Sequence, residues 1–306
     1  VSKLPAIATF WLCFVPFACG RNDSATPDGS QTHLDGHGSG SGSGSATPTT
    51  IKATRMAPPA TGTAVAFANV VVTARVSSSK YGKIWVQDQG GGTYSGIELF
   101  CNYAGNNPTC ALTKAQIDAL VAGTVVNVTG SFDSFLLSTA PAGAQPTFEI
   151  DAPVITTTGT TMTPVAVDVP AATIAKAQLA AATAEPYKGA YVHVTGGPFT
   201  VPTLSAPEFA ASCTDKSVPV QNGTTYNGFE AAAGAQTLAV ALNFYNTVTY
   251  CEPCANVAMP YACSNPVSTT QTFTTLSGIV EPNYSSASSM VYLQISPTSD
   301  ADLVHQ

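Results

Sequence analysis

The stretch Lys83–Cys101, KIWVQDQGGGTYSGIELFC, sets two short apolar runs on either side of three consecutive glycines. In SGIELFC the residues Ile97, Leu99 and Cys101 recur at every second position, the period of a strand that buries one face. KIWVQD is a second strand of the same kind. Glycine accepts positive φ without steric penalty, so Gly90–Gly92 mark a chain reversal and the whole stretch predicts a β-hairpin.

Working outward, NVVVTARV ahead of the hairpin places Val70, Val72, Ala74 and Val76 on one face and Val71, Thr73 and Arg75 on the other. Behind it, TKAQIDALVAG predicts a helix. Thr113 and Gln116 have capping-box spacing, Ile117, Leu120 and Val121 form one stripe, and Gly123 can end it. TVVNVTGSF, with Val126, Val128, Gly130 and Phe132 aligned, and TFEIDAPVI supply two more strands. Three strands, a helix and two strands is the order of the OB-fold, a small Greek-key β-barrel. The valine run, the aromatic-Val-Gln-Asp strand and the YSGI element resemble OB-like domains of secreted bacterial lipoproteins and of some extracellular nuclease-associated proteins. The resemblance implies an OB-like domain over 61–157.

The pattern restarts over 168–306, after a Thr/Pro linker near 157–168. AATIAKAQLAAATAEPYKG predicts a helix from Thr173 to Thr183, and AYVHVTGGPFTV a strand with Ala190, Val192 and Val194 inward. QTLAVALNFYNTV makes a further strand, TTLSGIVEPNY parallels NVTGSFDSF, and VYLQISPTSDADL parallels FEIDAPVI. The expectation is a mainly β protein with two OB-like small β-barrels in tandem; in the second, cysteine-bound loops replace the helix between strands three and four.

Residues 1–18 carry one cation, Lys3, and an apolar run from Leu4 to Ala18 that is too short to span a bilayer and suits a secretory signal peptide. FACG resembles the lipobox of bacterial lipoproteins, with Cys19 as the lipidated residue; Pro16 and Phe17 depart from that pattern. The alternative is cleavage by ordinary signal peptidase. Residues 19–60 read as a flexible, disordered Gly/Ser-rich tether, on which His33 and His37 form no complete metal site. These features predict export to the cell envelope of a bacterium, with a membrane anchor at Cys19. Gly20 in place of an aspartate tilts the expectation toward the outer membrane or cell surface.

If Cys13 is removed and Cys19 is lipidated, Cys101, Cys110, Cys213, Cys251, Cys254 and Cys263 remain, an even set that in an exported chain reads as disulfides. Two Cys-x8-Cys spacings suggest Cys101–Cys110 and Cys254–Cys263, leaving Cys213–Cys251. The last two are one choice among three pairings of four cysteines. Zinc and redox readings of CEPC lack a second ligand pair and a βαβ context.

Chemistry is sparse. Among the four histidines only His193 falls in a strand, without a catalytic signature beside it. Asp88 and Glu98 are the nearest thing to a hydrolytic carboxylate pair, but Asp88 reads as closing the hairpin and Glu98 as facing solvent. No cofactor, metal or catalytic set is expected. Trp85, Tyr94, Phe100 and Tyr103 form a candidate ligand face, on the strands that OB-folds commonly offer to oligonucleotides and oligosaccharides. A net charge of −7 disfavours nucleic acid. The function expected is non-catalytic binding of a glycan or envelope protein; the alternative is an extracellular hydrolase, or its accessory domain, acting on polysaccharide or nucleic acid.

Overall fold

The structure is a computed structural model that describes residues 46–306 except 79, 104–109, 137, 139, 203–227, 245–246, 252–264 and 286–289. The segment expected to be a signal peptide, Cys19, His33 and His37 therefore lie outside the described residues, as do Cys213, Cys254, Cys263 and the side chain of Cys251.

The chain is mainly β and forms two units. In the first, β1 (Ala64–Ser77), β2 (Tyr81–Gln87), β3 (Gly96–Asn102), β4 (Thr124–Phe135) and β5 (Thr147–Thr161) pair in the order β1-β2-β3-β5-β4 and return to β1. Every junction is antiparallel except β3 with β5. The hairpin forms as expected: Asp88 donates its backbone N–H to Ser95, and Gly91 and Gly92 take φ of 61° and 96°. Ile84, Val86, Ile97, Leu99, Val126 and Phe132 fill the interior. The predicted helix appears as the shorter α2 (Lys114–Ala119), whose capping box is complete and whose Ile117 is buried. Leu120 is also buried, but Val121 is exposed, because the helix has ended before it. Thr113→Ala removes the cap and is expected to lower stability by about 1 kcal/mol in urea denaturation.

A β-bulge changes one face assignment. Val72 pairs with Val86 and Ala74 with Trp85, so Thr73 is an extra residue on β1. An inserted residue reverses the alternation beyond it. Val70 and Val72 therefore face the interior, whereas Ala74 and Val76 point outward, toward the second unit.

The second unit contains β6 (Val167–Pro170), α3 (Ala171–Ile174), β7 (Tyr191–Thr195), β8 (Phe199–Thr200), β9 (Gly228–Ala233), β10 (Gln236–Ala241), β11 (Tyr250–Cys251), β12 (Asn265–Pro266), β13 (Thr272–Ser285), β14 (Met290–Ser296) and β15 (Leu303–His305). Its sheet runs β14-β10-β9-β8-β13-β7-β6, and β14 also pairs with β13. If β7 and β8 are taken as one interrupted strand, the pairings repeat those of the first unit, including the single parallel junction, now β10 with β14. Phe244, Val248, Tyr250 and Val267, from the segment between β10 and β13, fill its core.

Four further expectations need correction. Residues 51–56, within the stretch expected to be flexible tether, form α1 (Ile51–Met56), which buries Ile51, Thr54 and Arg55. Asp88 holds its start by accepting from the N–H groups of Ile51 and Lys52, both at 3.0 Å. The interdomain linker is shorter than 157–168, since β5 continues to Thr161 and β6 starts at Val167. The helix Thr173–Thr183 does not form. α3 stops at Ala175, whose ψ of 147° is extended, and a 3-10 turn follows. A helix this short is marginal on its own, and here burial of Ile174, Ala175, Leu179 and Ala184 sets the path. His193 was expected to be the only histidine in a strand, but His305 sits in β15 and pairs with Phe273. No helix among the described residues is long and apolar enough to cross a membrane.

Candidate functional site: the joint between the two units

The outer face of the β2–β3 hairpin does not meet solvent. Trp85 and Glu98, opposite each other in the ladder, are 3% and 1% exposed. Trp85 packs into the core of the second unit and meets Phe244 edge-to-face with ring centroids 5.0 Å apart. Glu98, expected in solvent, is ion-paired with buried Lys83 at 3.3 Å. Glu98 points away from its own unit's interior, as expected, but the second unit lies over it.

From that second unit comes Glu281, on β13, which lines one small cavity with Trp85, Glu98, Arg55 and Lys188. The cavity holds about 20 Å³, room for roughly one water molecule. Glu281 accepts hydrogen bonds from Gln294 Nε2 at 3.3 Å and Ser296 Oγ at 3.1 Å. Burial pushes its carboxyl above the usual carboxylate range and the charge of Glu98 pushes it further, against the pull of Lys83 and those two hydrogen bonds.

A clasp closes the other side of the joint. Arg55, from α1, donates to the carbonyls of Gly96 in the first unit and of Lys188 and Glu185 in the second. It also pairs with the Glu185 carboxylate at 3.2 Å. Its guanidinium lies 5.7 Å from the Tyr94 ring centroid and 5.9 Å from that of Phe148. Lys188 Nζ meets the other Glu185 oxygen at 2.7 Å. The glycines of the hairpin region bring backbones together here. A Cβ on Gly96 would lie 2.0 Å from the Gly189 carbonyl oxygen, and one on Gly91 2.4 Å from that of Val165. Tyr94 N–H donates to Pro186 at 2.6 Å.

The four aromatic residues expected to share a ligand face are thus divided. Trp85 belongs to the joint and Tyr94 to the clasp. Phe100 is half-buried, stacked on Tyr81 at 6.3 Å, with Lys83 Nζ 5.8 Å from its ring. Tyr103 lies at the α2 end of the first unit, where burial, and then the charge of Asp118, push its hydroxyl up to about 12. Asp88 caps α1 and makes no carboxylate pair with Glu98. His193 sits in register between Asp168 on β6 and Ser277 on β13, yet no hydrogen bond joins the three. Cys101 and Cys110 are bonded, with S–S 2.13 Å. Among the described residues no group of three histidine, cysteine or acidic side chains is placed to hold a metal.

Arg55, Glu185, Lys188, Gly189 and Glu281 were missed in the sequence reading. Arg55 lay in presumed tether, and nothing in its neighbours marks it. In a chain with only 9% charged residues, each charge inside an apolar run, as in GIVEPNY, was the signal available. No protein family, curated protein or solved structure matches the chain.

Proposed function

We propose that this chain is an exported bacterial envelope protein, lipid-anchored at Cys19, whose two OB-like barrels, joined through the β2–β3 hairpin, form a non-catalytic interaction module. The repeated pairing order, with β3 parallel to β5 in the first unit and β10 parallel to β14 at the matching place in the second, and α2 between the third and fourth strands of the first, supports the OB-like reading. The observation that carries the functional reading is the burial of Trp85, Lys83 and Glu98. The face on which an OB barrel commonly takes its ligand serves here to fix the second barrel. The outer surfaces of the fused pair are left to meet a glycan or an envelope protein, and the acidic charge repels nucleic acid.

Membrane fractionation tests the anchor: Cys19→Ala is expected to move the protein from the membrane to the soluble fraction, and unchanged partitioning refutes lipidation there. For the module, the purified chain is screened against glycans, single-stranded DNA and envelope proteins. Saturable binding without turnover is the expected result. Hydrolysis of a polysaccharide or nucleic acid, lost in Glu98→Gln, would replace this reading with the hydrolase.

A further inference from the structure

The joint combines an apolar contact with buried charge, which is uncommon because an ion is costly to remove from water unless it is paired. Lys83 and Glu98 are paired across the hairpin, and Glu281 is brought to the same cavity from the other unit. Two carboxyls from different units thus line one small cavity, and the Lys83 ammonium is paired with one of them.

We propose that this joint is a pH-responsive closure: it is tightest while Glu281 carries a proton, and it loosens when Glu281 ionises beside Glu98, uncovering Trp85 and the outer face of the hairpin. This goes beyond the binding role proposed above and does not depend on it.

The groups facing Glu281 come from each element packed around it. Lys83 is on β2, Glu98 on β3, Gln294 and Ser296 on β14; Arg55, Glu185 and Lys188 line the cavity. Glu149, on β5, is in register with Glu98. His193 and His305 pair further along β13, at Ser277 and Phe273. The direction follows from linkage. In the closed joint burial and Glu98 hold the Glu281 carboxyl above its ordinary value, whereas in an open joint it returns toward that value. The closed state therefore keeps a proton that the open state has released. Its advantage is complete below the ordinary carboxylate range, and it is lost as pH rises through the raised value. Across that interval the open-to-closed ratio rises about tenfold per pH unit. The ion pairs of Glu185 with Arg55 and Lys188 hold the other side of the joint as a hinge.

Tryptophan reports the event directly. The chain has two, Trp11 and Trp85, so the full chain carrying Trp11→Phe has a single fluorophore at the joint. Between pH 4 and pH 9, its emission is expected to shift to longer wavelength and its acrylamide quenching to increase, reversibly and with unchanged far-ultraviolet circular dichroism. Glu281→Gln should remove that dependence, leaving Trp85 shielded throughout. Glu98→Gln, which removes the repelling charge, should move the midpoint to lower pH. Emission independent of pH, a dependence that survives in Glu281→Gln, or a midpoint unmoved by Glu98→Gln would each overturn the proposal. Should Glu281→Gln fail to fold, the wild-type profile and the Glu98→Gln midpoint decide it. Fractionation and ligand screening are read separately, so failure here leaves the proposed function intact.

Discussion

Trp85→Ala is expected to lower stability by about 3–5 kcal/mol, the range for truncating a large buried aromatic side chain. The side chain leaves the first unit between two neighbours, Ile84 and Val86, that point into that unit's own interior. It enters the core of the second unit and is 3% exposed. Alanine removes the edge-to-face contact with Phe244, worth roughly 0.5–1.5 kcal/mol beyond its area, and leaves a cavity beside an existing small one. Relaxation is restricted because Arg55 and the Gly96–Gly189 contact hold the backbones on either side. Since both units share the side chain, the loss should appear as one cooperative urea transition shifted to lower denaturant, followed by circular dichroism. A loss below about 1 kcal/mol, the size of an ordinary surface substitution or little more, would mean that Trp85 does not join the units as described.

Strand character was legible where burial has a simple period. Ile97, Leu99 and Cys101 on β3, and Val126, Val128 and Phe132 on β4, alternate in the sequence and are buried in the structure. The Cys101–Cys110 bond was legible because the short Cys-x8-Cys spacing leaves few competing partners. The bulge at Thr73 was not, because nothing in NVVVTARV distinguishes an extra residue from a regular one, and its effect is to reverse Ala74 and Val76. The β9 segment GFEAAA was also missed. Alanine is depleted in strands, and here tertiary pairing with β10 overrides that tendency.

The joint was hidden for a different reason. Alternation tells which face of a strand a residue occupies, but not what covers that face. Glu98 and Trp85 were placed on the outside of their unit by period alone; that the outside is an interface depends on a second unit whose first strand starts only at Val167. The same limit applies to Arg55. A six-residue helix has too few turns to display an apolar stripe, and its partners Glu185 and Lys188 lie 130 and 133 residues further on. The expected ligand face fell on β2 and β3, and the second unit covers Trp85, Lys83 and Glu98 on the outer face of those strands.

Gly96→Ala separates close packing at the joint from backbone strain. An added Cβ would lie 2.0 Å from the Gly189 oxygen, 2.6 Å from its carbonyl carbon and 2.7 Å from Ala190 Cα. All three are backbone atoms, so no side-chain rotation relieves the overlap, and the units must separate locally. Gly96 lies outside the positive-φ positions, so alanine meets no conformational penalty of its own there. Separation would also stretch the bond from Arg55 Nη1 to the Gly96 carbonyl, now 3.3 Å. The expected loss is about 3 kcal/mol, the upper part of the range for overpacking a well-filled site, with more acrylamide quenching of Trp85 in the Trp11→Phe background. Gly92→Ala is the control. Its φ of 96° disfavours alanine, yet a Cβ there would meet nothing within 4 Å. That substitution should cost about 1–2 kcal/mol through backbone conformation alone and leave Trp85 shielded. Equal quenching in the two variants would show that the hairpin's conformation, and not the crossing of Gly96 with Gly189, holds the units together.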